Sequence, residues 1–223
     1  MTSETVVIVG AGPGLGMAVA RRFAREGAAI ALVARNAQRL AGMVEELRDS
    51  RSASAAAFVA DAGEPAQLRS ALASVRATLG DPTVLVHHLS VPVDGTPTTM
   101  AYDEFAAGLA GGVGALLVAA QELTPAMRRA RRGTVLVTGS GIALAPSPAY
   151  AGLAAQKAAV RSLALSLGQE LESDGVHVAT VTVQGIISPG GYYDPDRIAE
   201  VYWALHTEPR GSWRAEVRYR QPE

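Results

Sequence analysis

Four glycines fall within seven residues, Gly10-Ala11-Gly12-Pro13-Gly14-Leu15-Gly16, directly after the apolar run Thr5–Val9 and directly before a helical stretch. Backbone without side chains can close on an anion, and the N-terminus of the following helix adds a partial positive charge, so this arrangement makes a phosphate cradle. A tight turn without a ligand is the alternative for glycines alone. Their place after the first strand of an alternating chain favours the cradle. A second signal is Lys157, the only lysine among 20 lysine and arginine residues. A chain that writes its other cations as arginine keeps a lysine where a compact ammonium is needed, unless it is a chance surface residue. Tyr150 stands seven residues ahead of it. On one helix seven residues turn ~700° and rise roughly 10.5 Å, so the two would share a face. The phenol is then a proton donor, or a ring packed at a helix start. His87 and His88 end an apolar strand and point to opposite faces. Near-neutral pKa values suit either to acid and base work, against a structural role for each. The pair offers too few ligands for a metal, and none stands near at suitable spacing.

Positioning these residues falls to apolar runs that suit buried parallel strands: 5–9, 28–34, 53–59, 84–87, 134–138 and 176–183, with 213–219 as a seventh at the edge. Helical stretches at 14–26, 37–48, 65–79, 102–130, 148–171 and 195–205 alternate with them, the pattern of a doubly wound parallel α/β sheet in one domain spanning 1–223. Ser147 before Pro148 and Asp194 before Pro195 read as helix caps with proline at the first helical position. The loops 91–99 and 185–193 are rich in proline and glycine and belong at the carboxyl edge of the sheet, where open α/β folds bind ligands. The chain has 223 residues, a net charge of -1 and no cysteine, which excludes disulfides, thiol nucleophiles and thiolate metal sites. With no global positive field, nucleic acid and anionic membranes are not expected partners. Arg128, Arg129, Arg131 and Arg132 read as a solvated helix end. No apolar run approaching a membrane span and no leader-like start are seen, so a cytoplasmic protein is expected.

Gly10, Gly14 and Gly16 fit the Gly-x-x-x-Gly-x-Gly pattern of the short-chain dehydrogenase/reductase family, which the chain resembles over essentially its whole length. The resemblance implies a Rossmann fold and a nicotinamide dinucleotide held by Gly10, Gly12, Gly14, Leu15 and Gly16. Arg35, at the end of the second strand, stands where NAD-preferring proteins carry an acid. A guanidinium there suits a 2'-phosphate and favours NADP(H) over NAD(H), a solvated surface arginine being the alternative. Asp61 resembles the family's acid that meets the adenine amino group, or caps a helix. Gly185 and Ile187 are placed to present backbone to the carboxamide.

For catalysis the resemblance implies that Ser140 polarises a carbonyl and that Lys157 holds the nicotinamide ribose. It is broken at Leu153, which stands where the tyrosine of Tyr-x-x-x-Lys belongs. It is broken again at Gly112, in the place of the family's asparagine, and the Asn-Asn-Ala-Gly stretch reads His87-His88-Leu89-Ser90. Tyr150, His88 or water then supplies the proton. The leading expectation is an NADP(H)-dependent oxidoreductase acting on a small organic carbonyl, imine or enone. An isomerase, cyclase or dehydratase on the same scaffold, or a catalytically silent nucleotide-binding subunit, are the alternatives. The apolar faces of 102–130 and 148–171 lead us to expect a homodimer or homotetramer.

Overall fold

The computed structural model of the protein describes residues 4–49 and 54–222. Seven strands, β1 Thr5–Val9, β2 Ala29–Ala34, β3 Ala55–Val59, β4 Val84–His87, β5 Gly133–Ser140, β6 Val176–Val183 and β7 Glu216–Tyr219, form one sheet in the order β3-β2-β1-β4-β5-β6-β7. Every neighbouring pair is parallel. The helices are α1 Leu15–Ala24, α2 Ala37–Asp49, α3 Pro65–Leu79, α4 Tyr102–Leu109, α5 Ala115–Ala130, α6 Ala151–Leu171 and α7 Pro195–His206. β1 and β4 are buried along their whole length because helices cover both faces, which explains why they read as unbroken apolar runs. Strand alternation splits the core in two. Val6 and Ile8 pack with Phe23, Leu40, Leu47 and Tyr202 under α1, α2 and α7. Val7 and Val9 pack with Leu68, Leu72, Leu116 and Leu123 under α3, α5 and α6. This is the expected doubly wound sheet.

Several boundaries differ from the expected ones. β5 runs on to Ser140 because its pairing with β6 continues to Ser140–Val183. β7 begins only at Glu216, and α1 starts at Leu15 and stops at Ala24. Of the expected third strand, Ala53 lies outside the described residues. The stretch 102–130 is not one regular helix: a π-helical segment, Ala110–Gly114, separates α4 from α5. By length and composition this 29-residue stretch could cross a membrane, its most apolar window having a mean hydropathy of 1.4, but half of that window is buried inside the protein. The stretch 148–171 opens with a 3-10 turn, Pro148–Tyr150, and becomes α-helical only at Ala151. Ser147 makes no side-chain cap bond, whereas Asp194 does cap α7 by accepting from the Asp196 amide.

The basic cluster at the end of α5 is used structurally. Arg128 pairs with Glu170 and Asp174, Arg131 donates to the Ser173 carbonyl, and Arg132 pairs with Glu4.

Candidate active site

The strand order reverses between β1 and β4, and the chain leaves both strands at the carboxyl edge without closing the gap between them. A cleft of about 760 Å³ opens there, with Gly10, Gly12, Arg35, Arg39, Asp61 and His88 among its lining residues. Gly10 adopts φ +87, and a Cβ on it would run into the His88 carbonyl oxygen, so only glycine lets β1 turn this close to β4. Gly12 and Gly14 face open space. No side chain caps the N-terminus of α1; the Met17 amide donates to the Gly12 carbonyl, which leaves the Leu15 and Gly16 amides and the helix dipole for an anion at the glycine turn.

At the far end, Arg35 is 75% exposed and its Nη1 lies 3.7 Å from Asp61 Oδ2. An ion pair that open is weak and readily shared with an incoming phosphate. Arg39, which the sequence reading passed over, stands on the same wall. Its amide donates to Asn36 Oδ1 at 2.8 Å, a cap at the start of α2 that sets Arg39 four residues after Arg35. Asp61 Oδ1 accepts from the Gly63 amide at 2.9 Å and shapes the turn into α3, while the residue still lines the cleft. Asp61 does not cap the helix as the alternative expected, since α3 starts from Glu64 without a side-chain cap bond.

Ser140, Tyr150, Lys157, Gly185 and Ile187 lie outside this cleft, whose wall ends at His88–Val91 and at Ala107–Gly111. Ser140 ends β5, and its Oγ meets the Ile142 amide at 3.5 Å, a long contact that leaves the hydroxyl free to turn. Lys157 is buried. Its Nζ donates to the Thr138 carbonyl at 3.0 Å and the Leu89 carbonyl at 3.3 Å, and burial pushes its pKa down to about 8. A chance surface lysine is thereby excluded. Tyr150 departs from the expected geometry. It lies in the 3-10 turn before α6, with φ -128, so the argument from seven residues on one helix does not hold, and its ring is 59% exposed.

The histidines divide their work. His87 is buried and its Nε2 donates to the Gly112 carbonyl at 2.9 Å, which ties the π-helical segment to β4. His88 places Nδ1 3.0 Å from Thr138 Oγ1. Burial and then the Lys157 charge push their pKa values down, His87 to about 3 and His88 to about 4. Neither exchanges protons near neutral pH, which corrects the acid and base role expected of His88. Gly112 has a second structural use. The buried Gln156 side chain packs against it, and reaches across to Val91, donating to its carbonyl at 2.8 Å and accepting from its amide at 3.1 Å.

After β6 the short loop folds back on itself. The Tyr193 ring lies against Gly185, its hydroxyl donates to the Gln184 carbonyl at 2.8 Å, and Tyr219 donates to the Tyr192 carbonyl. Gly185 is exposed, and the Gln184 amide just before it donates to the Tyr219 carbonyl on β7 at 2.9 Å. The tyrosine latch was not legible in the sequence, because its partners are main-chain atoms up to 28 residues away.

Comparison with known proteins gives a consistent picture. The family model described as short chain dehydrogenase matches residues 4–191. Glucose 1-dehydrogenase of Gluconobacter oxydans is 26% identical over 83% of this chain and 70% of its own. The 2,3-dihydro-2,3-dihydroxybenzoate dehydrogenase of Bacillus subtilis is 28% identical over 92% of this chain and 74% of its own. A metagenomic short-chain oxidoreductase solved in complex with NADP superposes with a TM-score of 0.88 at 27% identity, covering 96% of this chain and 95% of that one.

Proposed function

Because the chain belongs to the short-chain dehydrogenase/reductase family, we propose that it is an NADP(H)-dependent oxidoreductase of small organic carbonyl, imine or enone compounds, with a proton source other than the family's tyrosine. The observation that carries this reading is the cleft at the strand-order reversal, with a glycine turn and bare helix N-terminus at one end and Arg35 and Arg39 at the other. The residues fit a dinucleotide. Uncapped amides of α1 suit the pyrophosphate, two guanidiniums suit a 2'-phosphate, and Asp61 stands where it can meet an adenine amino group. The metagenomic relative solved in complex with NADP supports this reading.

A bound nicotinamide would supply hydride chemistry. The chain's own residues then orient and protonate. Ser140 offers a hydroxyl to the substrate oxygen, and Lys157 sets a positive charge behind β5 and β4 without touching a phenol. Leu153 cannot donate and His88 is held neutral, which leaves Tyr150, exposed in the loop after Ser140, or water at this open edge as the proton source. Gly185 and Ile187 offer backbone to the carboxamide. The same reading includes self-association through α5 and α6, where Leu117 is exposed and Leu163 and Leu167 are partly so. Titration with NADPH and with NADH, with Arg35→Ala as control, tests the coenzyme assignment.

A further inference from the structure

A hydrogen-bond chain runs from the core to the cleft. Tyr202, on α7 and fully buried, has its hydroxyl 2.7 Å from Thr138 Oγ1 on β5. Thr138 Oγ1 lies 3.0 Å from His88 Nδ1. The positions of the protons follow from satisfying each buried group. Thr138 is the partner of the Tyr202 hydroxyl, so the phenol donates to it; otherwise that proton is stranded away from water. Burial pushes the Tyr202 pKa up, which keeps that proton in place. Thr138, itself buried, accepts it and turns its own proton to the remaining partner, His88 Nδ1. A ring nitrogen that accepts is bare, so the His88 proton sits on Nε2. That atom is not among the occluded, unpartnered side-chain atoms, and His88 lines the cleft. Its neighbour Cδ2 faces Gly16, where a Cβ would lie 3.5 Å away, so Nε2 stands beside the glycine turn and the start of α1.

We propose that Thr138 and Tyr202 are positioning residues that fix His88 as a neutral Nε2–H donor, and that His88 gives this hydrogen bond to a pyrophosphate oxygen of the dinucleotide at the glycine turn. The second half rests on the coenzyme reading above; the first does not. The anion is the fitting acceptor because the uncapped α1 amides already favour one there. Lys157 and His87 are the titratable neighbours, and the Lys157 charge works with burial to keep His88 unprotonated. The donor therefore stays the same across the physiological range.

Long-range proton–nitrogen NMR on nitrogen-15-histidine protein, without ligand, reads the tautomer directly, His88 being assigned by its loss in His88→Gln. The expected result is a neutral Nε2–H ring from about pH 5.5 to about pH 8. Tyr202→Phe and the shape-preserving Thr138→Val should each give mixed tautomers. An Nδ1–H ring, or protonation within that range, overturns the chain whatever the protein binds. Titration with NADPH and with adenosine 2'-monophosphate, which lacks both phosphates of the pyrophosphate, reads the contact. His88→Ala should weaken NADPH about fivefold, the scale of one net hydrogen bond, and leave the monophosphate unchanged. Equal weakening of both, or of neither, overturns the contact. Failure of the unaltered protein to bind NADPH overturns the contact and the coenzyme reading together, while the NMR result still judges the chain.

Discussion

Leu153 stands four residues before Lys157 on α6, where a phenol would sit one turn away, ~6 Å along the axis from the ammonium. The ammonium is buried, which pushes its pKa down to about 8, and it donates to the Thr138 and Leu89 carbonyls. Restoring a phenol is the sharpest residue-scale test of whether carbonyl chemistry runs at this edge. General acid catalysis contributes about a hundredfold or more where donor and substrate are aligned, so Leu153→Tyr should speed NADPH-dependent reduction of simple ketones and aldehydes at least about tenfold. Coenzyme consumption measures it, and an unchanged rate would place the chemistry elsewhere. At this scale the sequence was partly legible. Gly10 and Lys157 announce themselves by type and scarcity. Thr138 and Tyr202 do not, because a strand threonine and a helix tyrosine read as ordinary packing until the fold brings together atoms 64 residues apart. Arg39 was within reach of the sequence reading, as the cation one helical turn beyond Arg35.

Elements 102–130 and 148–171 read as long apolar helices, and most of each is helical. The interruptions escaped pattern reading because a π-helical segment shifts the apolar period by a single residue, and a 3-10 turn keeps the proline that also opens an α-helix. The second error matters for chemistry, since it takes Tyr150 off the face of Lys157. The π-helical segment, tied down by His87 and packed by Gln156, sets the course of α5 and so the surface that carries Leu117, 44% exposed. An exposed leucine on an apolar helix pair is the anchor we propose for self-association. Size-exclusion chromatography with light scattering should show a dimer or tetramer that Leu117→Glu converts to a monomer. A monomeric unaltered protein would contradict it.

At the centre of its sheet the molecule carries one buried imidazole, His87, and one partly buried at the cleft wall, His88, both neutral in the folded state. Their folded pKa values, about 3 for His87 and about 4 for His88, lie below the ordinary imidazole value of 6.5, so beneath 6.5 the unfolded chain binds protons that the folded one refuses. Stability is therefore fully present above pH 6.5 and is lost as pH falls towards 4, by about 1.4 kcal/mol per pH unit for each histidine. Urea unfolding at a series of pH values should show this slope, reduced by about half in His88→Gln; a flat profile down to pH 4 would contradict the lowered pKa values of both rings. The doubly wound parallel sheet and helix placement were legible at this scale because β1, β2 and β4 have no solvated face and their sequences alternate with helices of ordinary length. What the pattern did not reveal is that the cleft stops short of Ser140 and Lys157, because its wall ends at residues 88–91 and 107–111, segments that only the fold brings together.

The central claim is that the cleft between β1 and β4 holds NADP(H), selected by Arg35. Nicotinamide fluorescence during titration with NADPH, and in parallel with NADH, tests it most directly. The account predicts that NADPH binds more tightly and that Arg35→Ala weakens it, about tenfold for a lost charge-assisted contact, while leaving NADH nearly unchanged. Equal binding of both coenzymes unaffected by Arg35→Ala, or binding of neither, would contradict it.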